Sequence, residues 1–315
     1  MHPIDPYILI TAVTIDLLLG DPRRLPHPVV GIGRLITTLE KVLRRMLRNE
    51  LLGGALLLII VVVVTYVFVF LLLKGSYSVS PYAGFTVAAV LSWTCLAAHS
   101  LHRESKLVAD RLLAGDLEGA RRFLSRIVGR DTEQLDEPEI WRALVETVSE
   151  NTSDGVIAPL FYLMLGGPSL GLAYKAVNTL DSMVGYKNER YIRFGWASAR
   201  FDDLANWLPA RITGVLMTAA APLVGLSGRH ALRVMLRDGG NHSSPNSGIP
   251  EAAAAGALGV RLGGANRYFG VLVEKPTMGD TARDLSVESY RGAVQLMYTT
   301  TALFVAIWGA MIWIF

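Results

Sequence analysis

The residues of this sequence that could do chemistry fall in four clusters. Glu146, Glu150 and Asp154 recur at i, i+4 and i+8, a spacing that puts three carboxylates on one helix face, with Asn151 and Ser153 beside them. Like charges at that spacing repel, and a divalent cation that bridges phosphate oxygens to the protein would remove the cost. A solvated acidic face is the plainer alternative. In the second cluster Asn178 and Asp181 share a face among apolar neighbours, one turn after Lys175, with Lys187 further on. Ligands for a cation beside a lysine suit a phosphate-bearing substrate, and a polar cap with a snorkelling lysine would look the same. Third, Asp202 and Asn206 share a face beside Asp203, flanked by Arg200 and by Arg211, which stands inside an apolar block. Ionisable residues in such blocks are functional candidates, although Arg211 could equally be a salt-bridge partner of Asp202 or Asp203. Last comes a Gly/Ser/Asn loop carrying His242, Ser244 and Asn246, which leads through Pro250 into a small-residue helix at 251–258. Backbone N–H groups at a helix start can hold an anion, and the histidine could bind phosphate, shuttle a proton or serve only as structure.

Other chemistries lack their signatures. There is no G-x-x-x-x-G-K-[ST] and no H-E-x-x-H, and Gly31-Ile32-Gly33 is too short for a dinucleotide fingerprint. The single cysteine, Cys95, lies in an apolar block and reads as a packing residue. A net charge of +3 gives no support to a nucleic-acid partner.

The elements that position these clusters belong in a bilayer. Charged residues are 18% of the chain, against about a quarter in soluble domains, and the mean hydropathy is +0.38. The stretch 51–73 is free of charge for 23 residues, enough to span hydrocarbon. Residues 82–101 and 293–315 are further spans, the last with Trp308 and Trp313 as interfacial anchors. The start has no basic region typical of a cleaved signal peptide, so the apolar stretch 7–19 reads as an anchor or half-buried helix. Two other blocks are broken, 155–173 by Pro159 and Gly166-Gly167-Pro168, and 204–226 by Pro209, Arg211 and Pro222.

Lys and Arg number seven in 20–50, eight in 102–154, five in 174–203 and eight in 227–292, so all four segments are expected in the cytoplasm. A single crossing changes sides, so each broken block is expected to dip in and return, or to form a short hairpin, near its Gly/Pro break. Within 102–154 the pattern predicts soluble helices, with Gly115-Asp116 ending one and capping the next and another starting at Glu137-Pro138. Residues 260–269, centred on Gly263-Gly264-Ala265-Asn266, predict a tight hairpin. The fold class is therefore an all-α polytopic integral membrane protein: transmembrane helices, broken or re-entrant helices, and a helical cytoplasmic portion at 102–154 of a single domain over 1–315.

With these residues in view the sequence resembles the CobD/CbiB family, the adenosylcobinamide-phosphate synthases of cobalamin biosynthesis. The resemblance runs from Asp16-Leu-Leu-Leu-Gly-Asp-Pro and Pro26-His-Pro-Val through Glu146-Thr-Val-Ser-Glu-Asn-Thr-Ser-Asp-Gly and Lys175-Ala-Val-Asn-Thr-Leu-Asp-Ser-Met-Val-Gly-Tyr. It continues through Arg200-Phe-Asp-Asp-Leu-Ala-Asn to His242-Ser-Ser-Pro-Asn-Ser-Gly-Ile-Pro-Glu. It implies an ATP- and magnesium-dependent ligase of the cell membrane, with its active site facing the cytoplasm. Such an enzyme joins an aminoalcohol phosphate to a propionate of adenosylcobyric acid, with the lipid bilayer and later membrane enzymes of the pathway as partners and no nucleic acid. At the matching positions residue chemistry assigns Glu146, Glu150, Asp181 and Asp202 to magnesium. Lys175, Arg200, Asp203 and His242 become the catalytic candidates, and Asn151, Asn178, Lys187, Asn206, Arg211, Ser244 and Asn246 the substrate-binding ones. Two other classes stay open on spacing alone: a magnesium-dependent membrane prenyltransferase, since Asn178-x-x-Asp181 and Asp202-Asp203-x-x-Asn206 resemble its acidic motifs, and a transporter with charges beside broken helices.

Overall fold

A computed structural model describes residues 5–21, 27–268 and 270–314, the side chains as far as 311. Twelve α-helices follow one another among the described residues: α1 (Pro6–Leu19), α2 (Pro28–Met46), α3 (Glu50–Val79), α4 (Pro81–Trp93), α5 (Ala98–Leu113), α6 (Leu117–Leu124), α7 (Glu137–Asn151), α8 (Ala158–Val184), α9 (Trp196–Ala220), α10 (Gly228–Asp238), α11 (Gly248–Leu258) and α12 (Val287–Ile314). The starts are written locally. Asp5, Asn49, Ser80, Asp116, Asp136 and Ser227 each accept a backbone N–H of the first turn, and Asp136 forms a full capping box with Glu139. Proline follows directly at α1, α2 and α4, where its missing N–H costs nothing.

Five stretches are long and apolar enough to cross a membrane: Glu50–Val79, Pro81–Leu113, Glu137–Val184, Trp196–Val224 and Val287–Met311. The polytopic, all-α expectation therefore holds, with only four short strands added. The chain divides into two compact units, Met1–Ala97 with Ala158–Asn206, and Ala98–Ile157 with Trp207–Phe315.

In the first unit Ile32, Ile36 and Leu43 of α2 pack with Leu57 and Val61 of α3, Leu180 of α8 and the fully buried Phe194. Gly54 lets α3 sit directly on the Phe194 carbonyl, where a Cβ would collide. The first broken block is a hairpin, as expected. Gly166 (φ −151°) and Gly167 (φ +64°, ψ −163°) leave the helical region, and Gly167 takes a conformation open to glycine. The limbs then fold back, so the rings of Tyr162 and Tyr174 stack at 4.9 Å, whereas twelve residues of straight helix would separate them by about 18 Å. A Cβ on Gly171 would come within 2.6 Å of Leu163, and Cys95 packs against the same glycine.

The second unit centres on α11, whose small side chains allow it to be buried almost throughout, against Met217, Ala231 and Met235 and against Leu296 of α12. Helix α5 ends before Gly115 and Asp116 caps α6, as the sequence indicates.

Four expectations need correction. The second broken block is not interrupted at Pro209, where proline forfeits one backbone bond and α9 continues for 25 residues in all; the break falls beside Pro222, where the chain turns at Gly225 (φ +74°). The strands do not form a hairpin on Gly263-Gly264. β1 (Leu262–Gly263) pairs with β4 (Thr277–Met278), and β2 (Asn266–Tyr268) pairs with β3 (Val271–Val273) across Gly270, so the two glycines at φ +80° and +84° link separate ribbons. Trp308 is 4% exposed, packed inside the protein rather than set as an interfacial anchor, while the Trp313 side chain lies outside the described residues. Finally, α7 gives way to a π-helix at Thr152–Ile157, whose wider turn takes Asp154 out of the α-helical register of Glu146 and Glu150.

Candidate functional site

The sequence-flagged polar residues gather in a cavity of each unit. In the second unit, Glu146 and Glu150 lie one turn apart on α7 and line a cavity of about 130 Å³ with Arg130, His242, Glu251 and Lys275. Arg130 Nη2 donates to Glu146 Oε2 at 2.6 Å, with side chains 6% and 12% exposed, and the same guanidinium bonds Asn266. The Gly263 N–H donates to the other Glu146 oxygen at 2.8 Å. Both oxygens of this carboxylate are thus engaged by protein donors. Glu150 Oε1 accepts from Ser247 Oγ at 2.8 Å, Asn151 lines the cavity and donates to the Thr147 carbonyl at 2.9 Å, and the Lys275 ammonium bonds the Tyr268 hydroxyl at 2.8 Å.

The loop before α11 fixes His242. Its Nδ1 accepts the Ser244 N–H at 3.0 Å, so the neutral ring carries its proton on Nε2, which lies 3.9 Å from Glu251 Oε1. Burial, opposed by the Glu150 carboxylate, holds the imidazole below its ordinary pKa. Glu251 is 4% exposed, and burial followed by repulsion from Glu150 and Glu146 raises its carboxyl well above the usual range. Both shifts favour the uncharged forms, an imidazole whose Nε2 is the donor and a protonated carboxyl. Ser244 acts through its own hydroxyl too, which accepts the N–H groups of Asn246 and Ser247. Arg211 stacks on Trp207, 4.4 Å from the ring centre, and donates to the Trp207 carbonyl at 2.6 Å and to Asn246 Oδ1 at 3.2 Å. It braces the loop.

In the first unit, Lys175 and Asn178 of α8 line a cavity of about 400 Å³ with Asp21, His27, Thr94 and Ser182. Asp21 and His27 come from the motifs before α2; Pro22 and Pro26 lie outside the described residues. Alongside, Tyr174 Oη donates to Asn206 Oδ1 at 2.8 Å, and Asn206 Nδ2 donates to Asp202 Oδ2 at 3.0 Å. Asn178 and Asp181 are neighbours of the Asp202 carboxylate. Asp202 is 9% exposed, and its Oδ1 makes no hydrogen bond of normal geometry among the described residues. Arg200 is largely exposed and reaches Asp203 at 3.8 Å, and Lys187 is exposed in the loop after α8.

Among the described residues, no group of three or more His, Cys, Asp or Glu is arranged to hold a metal. Magnesium is commonly held by one or two carboxylates plus substrate phosphates. Asp202, buried beside Asp181 and Asn178, fits that donor set, while Glu146 as placed is the counter-ion of Arg130.

The comparisons with known proteins agree on one family. The family described as CobD/Cbib protein matches residues 9–297. The chain belongs to the CobD/CbiB family. It is 65% identical over 304 residues to the cobalamin biosynthesis protein CobD of Geobacter metallireducens, covering 96% of each chain. It is 47% identical to the CobD of Klebsiella pneumoniae over 95% of each, and 48% identical to the CbiB of Salmonella choleraesuis over 94% of each. No solved structure matches.

Sequence reasoning missed Arg130, Asn266 and Lys275, which sit in no periodic pattern and reach the cavity only through the fold. Glu251 closes the loop motif in the sequence, yet only its burial marks it as part of the site.

Proposed function

We propose that this CobD/CbiB protein is an adenosylcobinamide-phosphate synthase, an ATP- and magnesium-dependent ligase. In this reading it joins an aminoalcohol phosphate, such as 1-aminopropan-2-ol phosphate, to a propionate of adenosylcobyric acid. Family membership supports the pathway. The observation that carries the chemistry is the second unit's cavity, where a neutral imidazole with a fixed N–H faces a carboxylate, a buried guanidinium and a lysine.

Amide formation adds the amine nitrogen to an activated carboxyl carbon, expels the phosphate-bearing oxygen and releases one proton from nitrogen. Glu150 receives the amine and takes that proton. The His242 Nε2–H donates to the oxygen that gains charge as nitrogen adds, a preorganised donor that costs no reorganisation. The imidazole gives this hydrogen bond without transferring its proton, so the ring ends the step as it began. In the first unit Lys175 and Asn178 line a polar cavity of their own that suits a phosphate, and Asp181 and Asp202 would hold magnesium there, whose charge would offset that of phosphate. Asn206 and Tyr174 orient Asp202, and Arg211, Ser244 and Asn246 fix the loop that carries His242. The site faces the cytoplasm, where ATP is available.

The test uses detergent-purified protein with adenosylcobyric acid, aminopropanol phosphate, magnesium and ATP, followed by mass spectrometry of the corrinoid. A product heavier by the aminoalcohol phosphate less water, absent without ATP, is expected. Alanine at Asp181 or Asp202 should abolish it while the protein remains folded. Turnover of a prenyl diphosphate, or proteoliposome uptake without chemical change, would overturn the reading in favour of a prenyltransferase or a transporter.

A further inference from the structure

The first unit contains a second, larger cavity that the ligase chemistry does not use. It encloses about 800 Å³ between the first turns of α2 and the helices α3, α4 and α8, within the range of about 300–1,000 Å³ typical of ligand sites. Its walls are aliphatic and aromatic: Leu35, Val64, Phe68, Val69, Leu91 and Leu172. The hydroxyl of Thr65, also in the wall, is satisfied by the Val61 carbonyl at 2.7 Å. An added Cβ on Gly31 would meet nothing within 4 Å, so the glycine leaves the groove open. Val64 and Phe68 are 45% and 65% exposed on a helix that is apolar enough to span the bilayer, so the groove opens towards the lipid.

One end is polar and positive. Arg34 lines the groove, and among the described residues its guanidinium makes no hydrogen bond or ion pair. This contrasts with Arg44 on the same helix, which is held by Glu40 and Glu50. His27 stands at the same end, at the start of α2, but its Nδ1 accepts the Val29 N–H and its Nε2 lies 3.4 Å from the Asp21 carboxylate, so the charge there is that of Arg34. A long apolar trough ending in an uncompensated guanidinium is complementary to one kind of molecule, an acyl chain attached to an anionic phosphate.

We propose that this groove is a binding site for an anionic glycerophospholipid, with an acyl chain along α3 and the phosphodiester on Arg34. The site goes beyond the ligase reading and does not depend on it. A bound lipid would fill the space between α2 and α3 and so support the packing of α2, with its headgroup beside His27, which lines both the groove and the polar cavity of this unit.

The test is native mass spectrometry of the full chain in detergent, titrated with palmitoyl-oleoyl phosphatidylglycerol or phosphatidylcholine. One basic residue at an anionic headgroup is worth about 1 kcal/mol, which corresponds to about a fivefold preference for phosphatidylglycerol. Arg34→Ala should bring that preference close to one. Gly31→Trp should lower retention of both lipids by filling the groove, and Val64→Trp tests the same point from α3 should the first variant not fold. Equal binding of the two lipids by the unaltered chain, or a preference that survives Arg34→Ala, would overturn the proposal. So would displacement of phosphatidylglycerol by millimolar inorganic phosphate, which would mark a simple anion site without a role for the acyl chain.

Discussion

Glu146→Gln separates the two roles that the Glu146 carboxylate could have. The substitution keeps an acceptor for the Gly263 N–H but removes the charge opposite Arg130, whose side chain is 6% exposed. Breaking a buried ion pair by removing one partner costs about 3–5 kcal/mol, because the other charge is left uncompensated. Arg130 keeps its bond to Asn266 and the cavity also holds Glu150 and Glu251, so the lower end, about 3 kcal/mol, applies here. The measurement pairs unfolding in mixed micelles with a magnesium titration of product formation. A counter-ion role predicts a loss of about 3 kcal/mol in stability with no change in the magnesium concentration at half-maximal rate. In a double-mutant cycle, Arg130→Met should then cost much less in the Glu146→Gln background than in the native one. Stability within about 0.5 kcal/mol of the native protein, together with a magnesium requirement raised tenfold, would refute the reasoning and return Glu146 to the metal.

Two further outcomes follow from burial and close packing. Glu251 has a folded pKa raised by burial, so its contribution to stability is present in full below the unfolded value near 4.5 and is lost as pH rises through the folded value. Glu251→Gln should therefore become progressively stabilising relative to the native chain as pH rises above about 4.5, and melting curves that stay parallel from pH 4 to 8 would contradict this. Gly54→Ala forces α3 off the Phe194 carbonyl and should cost about 1–3 kcal/mol. Gly75→Ala on the same helix meets nothing within 4 Å and should stabilise by about 0.5–1 kcal/mol, and thermal melts of the pair that agree with each other would count against the packing.

Much of the architecture is a local property of the chain. The charge-free run in α3, the proline and Ser/Asp/Asn starts of the helices, and the Gly166-Gly167-Pro168 break act through nearest neighbours or through the bilayer's demand for satisfied backbone. They are legible residue by residue. Pro209 shows the limit: local preference marks a break, but a helix can forgo one hydrogen bond, and α9 continues. The strand ribbons fail for a similar reason, since pairing Leu262 with Met278 is a long-range choice that the glycines permit without specifying.

The sequence by itself determined the membrane class, the family and the identity of the polar clusters, because hydropathy and contiguous motifs survive without knowledge of the fold. The tertiary structure alone decided which polar groups share a site. Glu146 accepts from Arg130 across sixteen residues and from the Gly263 N–H across 117, and Glu251 shares its cavity with Lys275. It also decided protonation: the shift of a buried acid depends on how much water the fold removes and which charges it brings near. Neither quantity is carried by spacing along a chain.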